Sequence, residues 1–412
     1  MDEQSTRTTE TSRIEWSGLE SWARGKVQEF IQGILEEEVT EFLGRKRHER
    51  RSDVDEEGYR NGYGKPRKLT MSCGTITLRR PRVRDLAERF ESAVLPMFVK
   101  RTEAIRDLLP LLYLHGLAEG DFEMGLRGLL GDDANLSAST VARLKERWKA
   151  EQERWSSRSL KDLEVAYVWV DGVYVKAGLE KERSCLLVVI AALRDGSKVI
   201  LSLTAGHRES TPSWSAVLRD LRDRGLEEIP LIVGDGHLGI WGAIRNVYPE
   251  AEEQRCWNHR IINVLDQVPK KHQPTAREML KPIPYSDTRA KAEKMKEEFQ
   301  RWCHNHDFDK AAQLIDEDWE RMVTFYRFPK AHWKHLRTTD VVESPFAALR
   351  LRTNAAKRFK KVANATAVIW KMLTIAESRF RRIAAPELLP QVCDGTRFQD
   401  GLRKPSDQEA AA

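Results

Sequence analysis

Apolar residues recur every three to four positions through residues 17–43, which is the spacing of one buried face on an α-helix. Gly44 follows at the position of a helix C-cap. The pattern predicts an amphipathic helix that packs against the rest of the protein or against a second copy of it. Residues 1–16 show no such period and are predicted to be a disordered lead.

Glycine and proline interrupt the helical period in residues 58–84. Two short β-prone runs flank Cys73 and Gly74 in this segment and predict a β-hairpin. A glycine-rich stretch with two tyrosines precedes the hairpin, and tyrosine can contact a phosphate backbone. The segment is therefore a candidate for binding nucleic acid.

Helical patterns return at residues 102–115 and 120–130, and a further helix opens near Ser137 after a glycine-bearing turn. This arrangement resembles a helix-turn-helix, in which the first residues of the second helix reach base edges. Those residues would be Ser139, Thr140 and Arg143. A plain helical bundle fits the same pattern, so both interpretations stay open.

Beyond residue 164 the chain changes to short runs of β-branched and aromatic residues, which is the pattern of buried strands. Short connections join the first three runs, and helical segments separate the last two. This order predicts an α/β sheet whose late strands return beside the first strand. The predicted strands are 165–176, 184–193, 199–205, 229–234 and 253–257, with helices beginning at Thr211 and at Leu238.

A carboxylate lies in the middle of the first of these strands, at Asp171. Burying it is unfavourable unless an ion pair, a hydrogen bond or a metal ion compensates. Asp235 ends the fourth strand, and the strand order brings it beside Asp171 if those strands are adjacent and parallel. Two neighbouring carboxylates favour a bound cation, although an aspartate after a strand is also a common helix cap. Gly172 is expected to leave room for DNA beside Asp171.

Length and composition limit the class of protein. A chain of 412 residues is long enough for two to four domains, and its five dispersed cysteines do not form a disulfide framework. The sequence contains no apolar run long enough to span a membrane. Because the N-terminus is polar and acidic, we expect a cytoplasmic protein with no membrane partner.

Positive charge is concentrated in two short segments. Residues 60–84 contain eight basic residues and no acidic one, and residues 344–382 contain ten basic residues and one acidic residue. Such segments are either solvated surface or binding sites for a polyanion, and their excess charge favours nucleic acid. The candidate DNA-binding residues are Arg60, Lys65, Arg67 and Lys68 in the first segment, and Arg350, Arg352, Lys357, Arg358, Lys360 and Lys361 in the second.

Four motifs in order resemble those of the Mutator-type bacterial insertion-sequence transposases of the IS256 family. They are VDGVYVK at 170–176, VGDGHLGIWGAI at 233–244, QRCWNHRIINVL at 254–265 and VVESPFAALRLRT at 341–353. The resemblance also includes LGRKRHER at 43–50 and YRNGY at 59–63, so it covers nearly the whole chain. One departure is His237, where a small residue is expected, and no role is assigned to it.

The resemblance implies an RNase H-like (retroviral integrase-type) catalytic domain with the triad Asp171, Asp235 and Glu343, which is interrupted by an all-α insertion. Three carboxylates suit phosphoryl transfer on DNA, because hard oxygen ligands hold two Mg²⁺ ions about 4 Å apart. The implied cofactor is Mg²⁺, with Mn²⁺ as its substitute. In the same motifs, Cys256 and His259 are expected to support the site, and a zinc site is not expected because a second tight ligand pair is missing.

The implied function is a DNA transposase that binds terminal inverted repeats and target double-stranded DNA. It would cleave and transfer strands by a two-metal mechanism, through a circular copy-out intermediate, as a homodimer or higher homo-oligomer. A catalytically idle DNA-binding relative or repressor is the alternative, and a structure-specific nuclease fits the basic N-terminal half poorly.

The expected domains follow from these patterns. They are the lead at 1–16, a dimerisation and DNA-binding region at 17–95, a helical DNA-binding domain at 96–158, the first part of the catalytic core at 159–259, the helical insertion at 260–335, the second part of the core at 336–385, and a tail at 386–412.

Overall fold

A computed structural model describes most of the chain. The described residues are 16–49, 58–85, 90–115, 138–177, 184–206, 208–236, 238–356 and 358–405, together with Met124, Leu126, Arg127 and Leu130. The expected lead at 1–16 apart from Trp16, the turn after residue 130, His237 and Lys357 lie outside these residues. The chain forms two compact units, residues 1–144 and residues 145–412.

The first unit begins with helix α1 (Leu19–Leu43), which confirms the predicted helix but not a single buried apolar face along its length. Gly44 caps it with φ +65°, a left-handed conformation that glycine adopts without strain. Leu35, Val39 and Leu43 are buried on one face of α1, while large aromatic side chains lie exposed elsewhere on it. The exposed aromatic residues of this region are Trp16, Trp22, Phe30 and Phe42.

Within described residues 58–85, four strands follow α1 where the sequence predicted one hairpin. They are β1 (Tyr59–Tyr63), β2 (Arg67–Met71), β3 (Gly74–Leu78) and β4 (Pro81–Arg84). The pairing of β2 with β3 is the predicted hairpin. β1, which precedes the hairpin in the chain, pairs in an antiparallel ladder with β4, which follows it. Leu35 of α1 packs with Leu69, Ile76 and Leu78, so these strands share a small core with the helix.

Two helices complete the described part of this region. They are α2 (Glu103–Leu114), with Pro110 inside it, and α3 (Ala138–Ser156), within which the division between the two units falls. Most of the predicted helix at 120–130 and the turn after it lie outside the described residues. The helix-turn-helix interpretation therefore stays a prediction.

The second unit is built on a five-stranded mixed sheet. Its strands are β5 (Val165–Val175), β6 (Ser184–Leu193), β7 (Lys198–Gly206), β8 (Leu231–Gly234) and β9 (Glu252–Arg255). Their spatial order is β7-β6-β5-β8-β9. The first three strands are antiparallel, whereas β8 lies parallel to β5 and β9 parallel to β8. The predicted α/β order and the return of the fourth strand to the first are confirmed.

Helices α4 (Thr211–Asp223) and α5 (Leu238–Val247) form the crossovers of this sheet. Trp214 and Leu218 of α4 pack with Trp241 of α5 against Val168 and Val170 of β5 in one buried cluster. Because side chains alternate along a strand, Tyr167, Trp169 and Asp171 point away from that cluster. On the second face, Trp169 Nε1 donates a hydrogen bond of 2.9 Å to the His335 carbonyl.

The segment between β9 and Glu343 is helical, as predicted, but its first helix begins at Trp257, which the sequence assigned to the fifth strand. The helices are α6 (Trp257–Leu265), α7 (Gln273–Leu280), α8 (Arg289–His304), α9 (Asp309–Asp316), α10 (Trp319–Met322), α11 (Trp333–Leu336) and α12 (Asp340–Glu343), with 3-10 turns at Ile283–Tyr285, Thr324–Arg327 and Lys330–His332.

In the described residues after Glu343, three further helices and a two-stranded ribbon follow. They are α13 (Phe346–Ala356), α14 (Val362–Glu377), α15 (Leu389–Cys393), β10 (Phe398–Gln399) and β11 (Leu402–Arg403). Val368, Ile369, Met372 and Leu373 of α14 are buried in the core. Within the described residues, no helix combines the length and apolar content needed to cross a bilayer.

Candidate active site

The parallel pairing of β5 with β8 brings Asp171 and Asp235 together. Trp169 pairs with Val233, so two residues further along these parallel strands Asp171 comes level with Asp235. Ligand oxygens of the two aspartates lie within 4.8 Å of each other. The neighbours predicted from strand order are therefore neighbours in the fold, and the spacing fits a shared divalent cation.

Asp171 is partly buried and surrounded by like charges. Its Oδ1 accepts a 2.7 Å hydrogen bond from the Gly172 amide. Burial raises the pKa of Asp171 to about 7, and the carboxylates of Asp235, Glu209 and Glu343 add to this shift. An ion that pairs with the ionised form would relieve both the burial and the repulsion.

Glu209 supplies a carboxylate that sequence reasoning missed. Ligand oxygens of Asp171, Glu209 and Asp235 all lie within 4.8 Å of one another. Glu209 lies in the connection between β7 and α4, immediately before the cap residue Ser210. A glutamate just before a helix N-cap is common and gives no sign of a metal site. Only the path of the crossover brings Glu209 close to Asp171 on β5.

The role expected for Gly172 needs correction. A Cβ added at Gly172 would lie 2.6 Å from Cδ of Glu209. The space beside Asp171 is therefore filled by the Glu209 side chain and is not left open for DNA. A clue in the sequence was the glycine itself, because a strand interior rarely contains one without a close neighbour.

Glu343 is the last residue of the short helix α12, and Ser344 and Pro345 separate it from α13. Its carboxylate belongs to a second group of possible ligands with Cys256 and His259, whose ligand atoms lie within 4.8 Å of one another. His259 Nδ1 is 3.8 Å from Glu343 Oε1. Among the described residues, the group around Asp171 does not include Glu343, although its charge acts on Asp171.

Thr339 connects the members of this second group. Its hydroxyl donates a hydrogen bond to Glu343 Oε1, and its amide lies 3.4 Å from Cys256 Sγ. Cys256 follows β9, where its amide donates a 2.8 Å hydrogen bond to the Gly234 carbonyl. Cys256 thus makes hydrogen bonds both to Gly234, which precedes Asp235, and to Thr339, which contacts Glu343.

His259 carries positive charge beside Glu343. The hydrogen bond with Cys256 raises the pKa of His259 to about 9, and Glu343 and Asp235 add to the rise, whereas burial lowers it. At neutral pH the imidazolium therefore attracts the Glu343 carboxylate. This contact and the Thr339 hydroxyl hold Glu343 in a defined orientation.

The other histidines near this segment lie in different environments. His332 Nδ1 is hydrogen-bonded to the Tyr167 hydroxyl at 2.7 Å, and His335 Nε2 accepts a 3.2 Å bond from the Ala384 amide. His304 contacts Asp309 at 2.7 Å. In the part of the chain that the structure describes, none of them joins the ligand group of Cys256 and His259.

The basic segment after Glu343 divides into exposed and buried residues. Arg350, Arg358, Lys360 and Lys361 are exposed, in agreement with a solvent-facing cationic surface. Arg352 is only 2% exposed, so it does not extend that surface as predicted. The Phe359 amide donates a 2.9 Å bond to the Lys176 carbonyl, which brings Arg358 and Lys360 beside the end of β5.

The basic residues of the first unit divide in a similar way. Arg60 donates a 2.7 Å hydrogen bond to Thr40, and Arg67 donates a 2.8 Å bond to the Val99 carbonyl, so protein contacts occupy both guanidinium groups. Lys65 and Lys68 are exposed. A groove of about 700 Å³ is lined by Lys65, Arg67, Arg80, Arg82, Arg84 and Lys100, among other residues.

The predicted base-reading residues lie at the start of α3. Ser139 and Thr140 are in its first turn, and Arg143 is exposed one turn later. The structure describes only the backbone of the two hydroxyl residues. Their role in reading DNA stays a prediction.

Comparison with known proteins supplies the family. The family model described as "Transposase, Mutator family" matches residues 2–382. The chain belongs to this family. The matched range includes all the carboxylates of the candidate active site, so the resemblance of the four motifs is confirmed at the level of the family.

Two relatives of this Mutator-family chain show substantial identity. It is 40% identical over 303 residues to the transposase for insertion sequence element IS6120 of Mycolicibacterium smegmatis, covering 73% of this chain and 94% of that protein. It is 39% identical over 290 residues to the transposase for insertion sequence element IST2 of Acidithiobacillus ferrooxidans, covering 69% of this chain and 98% of that protein.

A more distant relative comes from the group that the motifs resemble. The chain is 25% identical over 366 residues to the transposase for insertion sequence element IS256 in transposon Tn4001 of Staphylococcus aureus, covering 88% of this chain and 92% of that protein. This Mutator-family transposase thus matches its relatives over nearly their full length.

Proposed function

We propose that the chain is an insertion-sequence transposase that cleaves and joins DNA strands with divalent metal ions held by Asp171, Asp235 and Glu343. The observation that carries this proposal is the alignment of Asp171 with Asp235 on adjacent parallel strands in a member of the Mutator family. Two carboxylates at the same depth in one sheet, level with each other, suit a site for divalent cations better than a structural ion pair.

We infer that the sheet is an RNase H-like core. Three antiparallel strands are followed by two parallel strands reached through helices, and the order is β7-β6-β5-β8-β9. Asp171 lies on the central strand and Asp235 follows its parallel neighbour. The helical segment of 257–336 then separates these residues from Glu343, which suits a catalytic core with a helical insertion.

The donor set fits Mg²⁺ and its substitute Mn²⁺. Carboxylate oxygens are the ligands that these hard ions prefer, and those of Asp171, Glu209 and Asp235 lie close enough to share an ion. When bound, the ions supply Lewis-acid activation of a water or 3′-hydroxyl and charge stabilisation at the scissile phosphate. The carboxylates hold the ions in place, and the DNA need not form a covalent bond to the protein.

We assign Glu343 to the same metal centre as Asp171 and Asp235. Thr339 and the His259 imidazolium hold its carboxylate, and Cys256 links both to the end of β9. The charge of Glu343 adds a small part to the raised pKa of Asp171, which supports this assignment. The proposal requires the Glu343 carboxylate to turn from His259 towards an ion bound at the aspartates.

We propose that the exposed basic residues bind the phosphate backbone of double-stranded DNA. Arg350, Arg358, Lys360 and Lys361 lie on the segment that follows Glu343, and Phe359 ties this segment to the end of β5. The basic groove of the first unit is a second candidate surface. Their ligands would be the element's terminal inverted repeats and a target DNA.

A homodimer or larger homo-oligomer is part of the proposal, because two DNA ends must be brought together for transposition. The exposed aromatic residues on and before α1 are a candidate contact, since Trp16 is 88% exposed and Phe30 is 69% exposed. Transposition through a circular copy of the element is the route that we expect. Amplification across the abutted ends of such a circle in producing cells would detect it.

The experiment uses purified protein, Mg²⁺ and labelled DNA that carries the inverted repeats flanking its gene. We expect nicking or joining at the repeat ends by the wild type, and binding without cutting by Asp171→Asn. Asp162→Asn, an exposed aspartate in a turn, is the matched control and should cut normally. Equal cutting by Asp171→Asn would overturn the metal assignment, and binding without cutting by the wild type would indicate an idle DNA-binding relative.

A further inference from the structure

Glu209 lies where a ligand of the candidate metal centre would lie, although the resemblance assigns it no role. Its carboxylate, with those of Asp171 and Asp235, forms the group whose ligand oxygens lie within 4.8 Å of one another. It approaches from the connection that leads into α4, whereas the aspartates come from the sheet. Glu209 thereby extends the candidate active site and does not form a separate one.

The backbone of Glu209 is held by close packing against α5. A Cβ added at Gly239 would lie 2.6 Å from the Glu209 carbonyl oxygen and 2.6 Å from the Thr211 amide nitrogen. Ser210 then caps α4 by accepting a 3.4 Å hydrogen bond from the Ser213 amide. Because α5 begins three residues after Asp235, this packing fixes Glu209 relative to Asp235.

The side chain of Glu209 passes through the volume that any side chain at position 172 would fill. A Cβ at Gly172 would lie 2.6 Å from Cδ and 2.8 Å from Cγ of Glu209. Gly172 lies next to Asp171 on β5, so the absence of a side chain there lets the carboxylate of Glu209 reach Asp171. The space left by the missing side chain at Gly172 is therefore the space that the Glu209 side chain fills.

A hydrogen bond orients the carboxylate from its outer side. The side chain of Tyr174, two residues beyond Gly172, is hydrogen-bonded to Glu209. Burial, and then the charge of Glu209, raises the pKa of Cys185 to about 12, which agrees with a Glu209 carboxylate beside Tyr174 and its strand partner Cys185. A purely structural glutamate would not need to be held beside two other carboxylates that repel it.

We infer that Glu209 is a fourth carboxylate ligand of the metal centre, which rests on the proposed function of Asp171, Asp235 and Glu343. Four carboxylates balance the charge of two divalent cations before DNA binds, whereas three leave an excess of positive charge until a DNA phosphate reaches the ions. Glu209 binds the ion on the side of the site nearest α4. Its replacement lowers metal affinity without removing a contact to DNA.

The test measures metal binding directly. Mn²⁺ is titrated into metal-free protein and the free ion is followed by its electron paramagnetic resonance signal. We expect Glu209→Gln to weaken Mn²⁺ binding about tenfold or more, whereas Glu228→Gln, an exposed glutamate of the same unit, leaves it unchanged. The Mg²⁺ concentration for half-maximal DNA cleavage should rise by a similar factor, and DNA affinity should not fall.

Gly172→Ala gives an independent test, because the added methyl group displaces the Glu209 carboxylate and leaves its charge in the chain. We expect a loss of Mn²⁺ affinity like that of Glu209→Gln, and the double variant should bind Mn²⁺ no more weakly than either single one. Thermal unfolding in EDTA checks that each variant is folded.

The outcomes separate this inference from the proposed function. If Asp171→Asn abolishes cleavage while Glu209→Gln and Gly172→Ala titrate as the wild type does, the role of Glu209 is wrong and the triad stands. If Asp171→Asn binds Mn²⁺ and cuts DNA normally, the metal centre itself is misassigned. A loss shared by Glu209→Gln and Gly172→Ala, without a loss in Glu228→Gln, supports the four-carboxylate centre.

Discussion

Replacing Asp171 by Asn should make the metal-free protein more stable while it removes activity. Asn has the shape of Asp and can still accept the 2.7 Å hydrogen bond from the Gly172 amide. Asn lacks the negative charge that burial and the neighbouring carboxylates destabilise. The variant therefore isolates the electrostatic free energy that the folded protein holds in this carboxylate.

The magnitude follows from the pKa of Asp171, which is raised from 3.8 to about 7 in the folded protein. A difference of about three pKa units corresponds to about 4 kcal/mol of free energy of unfolding. A raised carboxyl pKa stabilises the fold fully below the unfolded-state pKa, and this contribution is lost as the pH rises through 7. The gain from Asp171→Asn should thus be about 4 kcal/mol at pH 8 and about 2 kcal/mol at pH 5.

The assay is urea unfolding in EDTA at both pH values, followed by tryptophan fluorescence. Trp169, which is fully buried two residues from Asp171, reports on the same strand. Asp162→Asn is the control and should change the free energy of unfolding equally little at either pH. If Asp171→Asn is no more stable than the wild type at pH 8, or gains equally at both pH values, the electrostatic reasoning is refuted.

Three further predictions concern groups around the site. Asp318→Asn leaves Arg255 and Arg260, which are 8% and 2% exposed, without their shared carboxylate, and should lower the free energy of unfolding by about 3–5 kcal/mol in urea titrations. Asn tolerates the φ of +61° at this position, so a loss no larger than that of the exposed control Glu228→Gln would exclude a charge effect. Arg350→Ala should reduce the slope of log Kd for DNA against log salt by about 1, and an unchanged slope would remove Arg350 from the phosphate contacts. Thr339→Val removes the hydroxyl that holds Glu343 and should lower single-turnover cleavage about tenfold or more at saturating metal with unchanged DNA affinity, whereas an unchanged rate would show that Glu343 needs no such support.

The sheet and its aspartate pair were predictable because their signals are local and periodic. The β-branched run around Asp171 and the glycine-bounded strand before Asp235 both have the composition of buried strands. Helical segments of sufficient length between the later strands then require parallel crossovers. Strand order alone therefore brought Asp171 and Asp235 together, without any knowledge of side-chain contacts.

The features that the sequence did not predict depend on contacts between distant segments. Glu209 has the pattern of a helix lead, and its approach to Asp171 depends on the packing of Gly239 against the backbone at 209–211. The pairing of β1 with β4 encloses the predicted hairpin, and nothing in the short, polar run of β1 indicates a partner. Arg352 is buried by the packing of its helix, although its neighbours in sequence are exposed basic residues.

The surroundings of Glu343 were also beyond a reading of the sequence. Motif resemblance named Cys256 and His259 as supporting residues, but it did not indicate how they act. The hydrogen bonds of Thr339 supply that connection, since this residue contacts both Cys256 and Glu343. Thr339 was missed because a threonine before a short helix is typical of an ordinary N-cap.

The most direct test of the metal-centred transposase is single-turnover cleavage of end DNA by Asp235→Asn and Glu343→Gln, with DNA binding measured in the same reaction. Removing one metal-binding carboxylate should abolish Mg²⁺-dependent cleavage and strand transfer by each variant, while DNA affinity stays within about twofold of the wild type. Cleavage by either variant at the wild-type rate would contradict the assignment of these carboxylates to the catalytic centre.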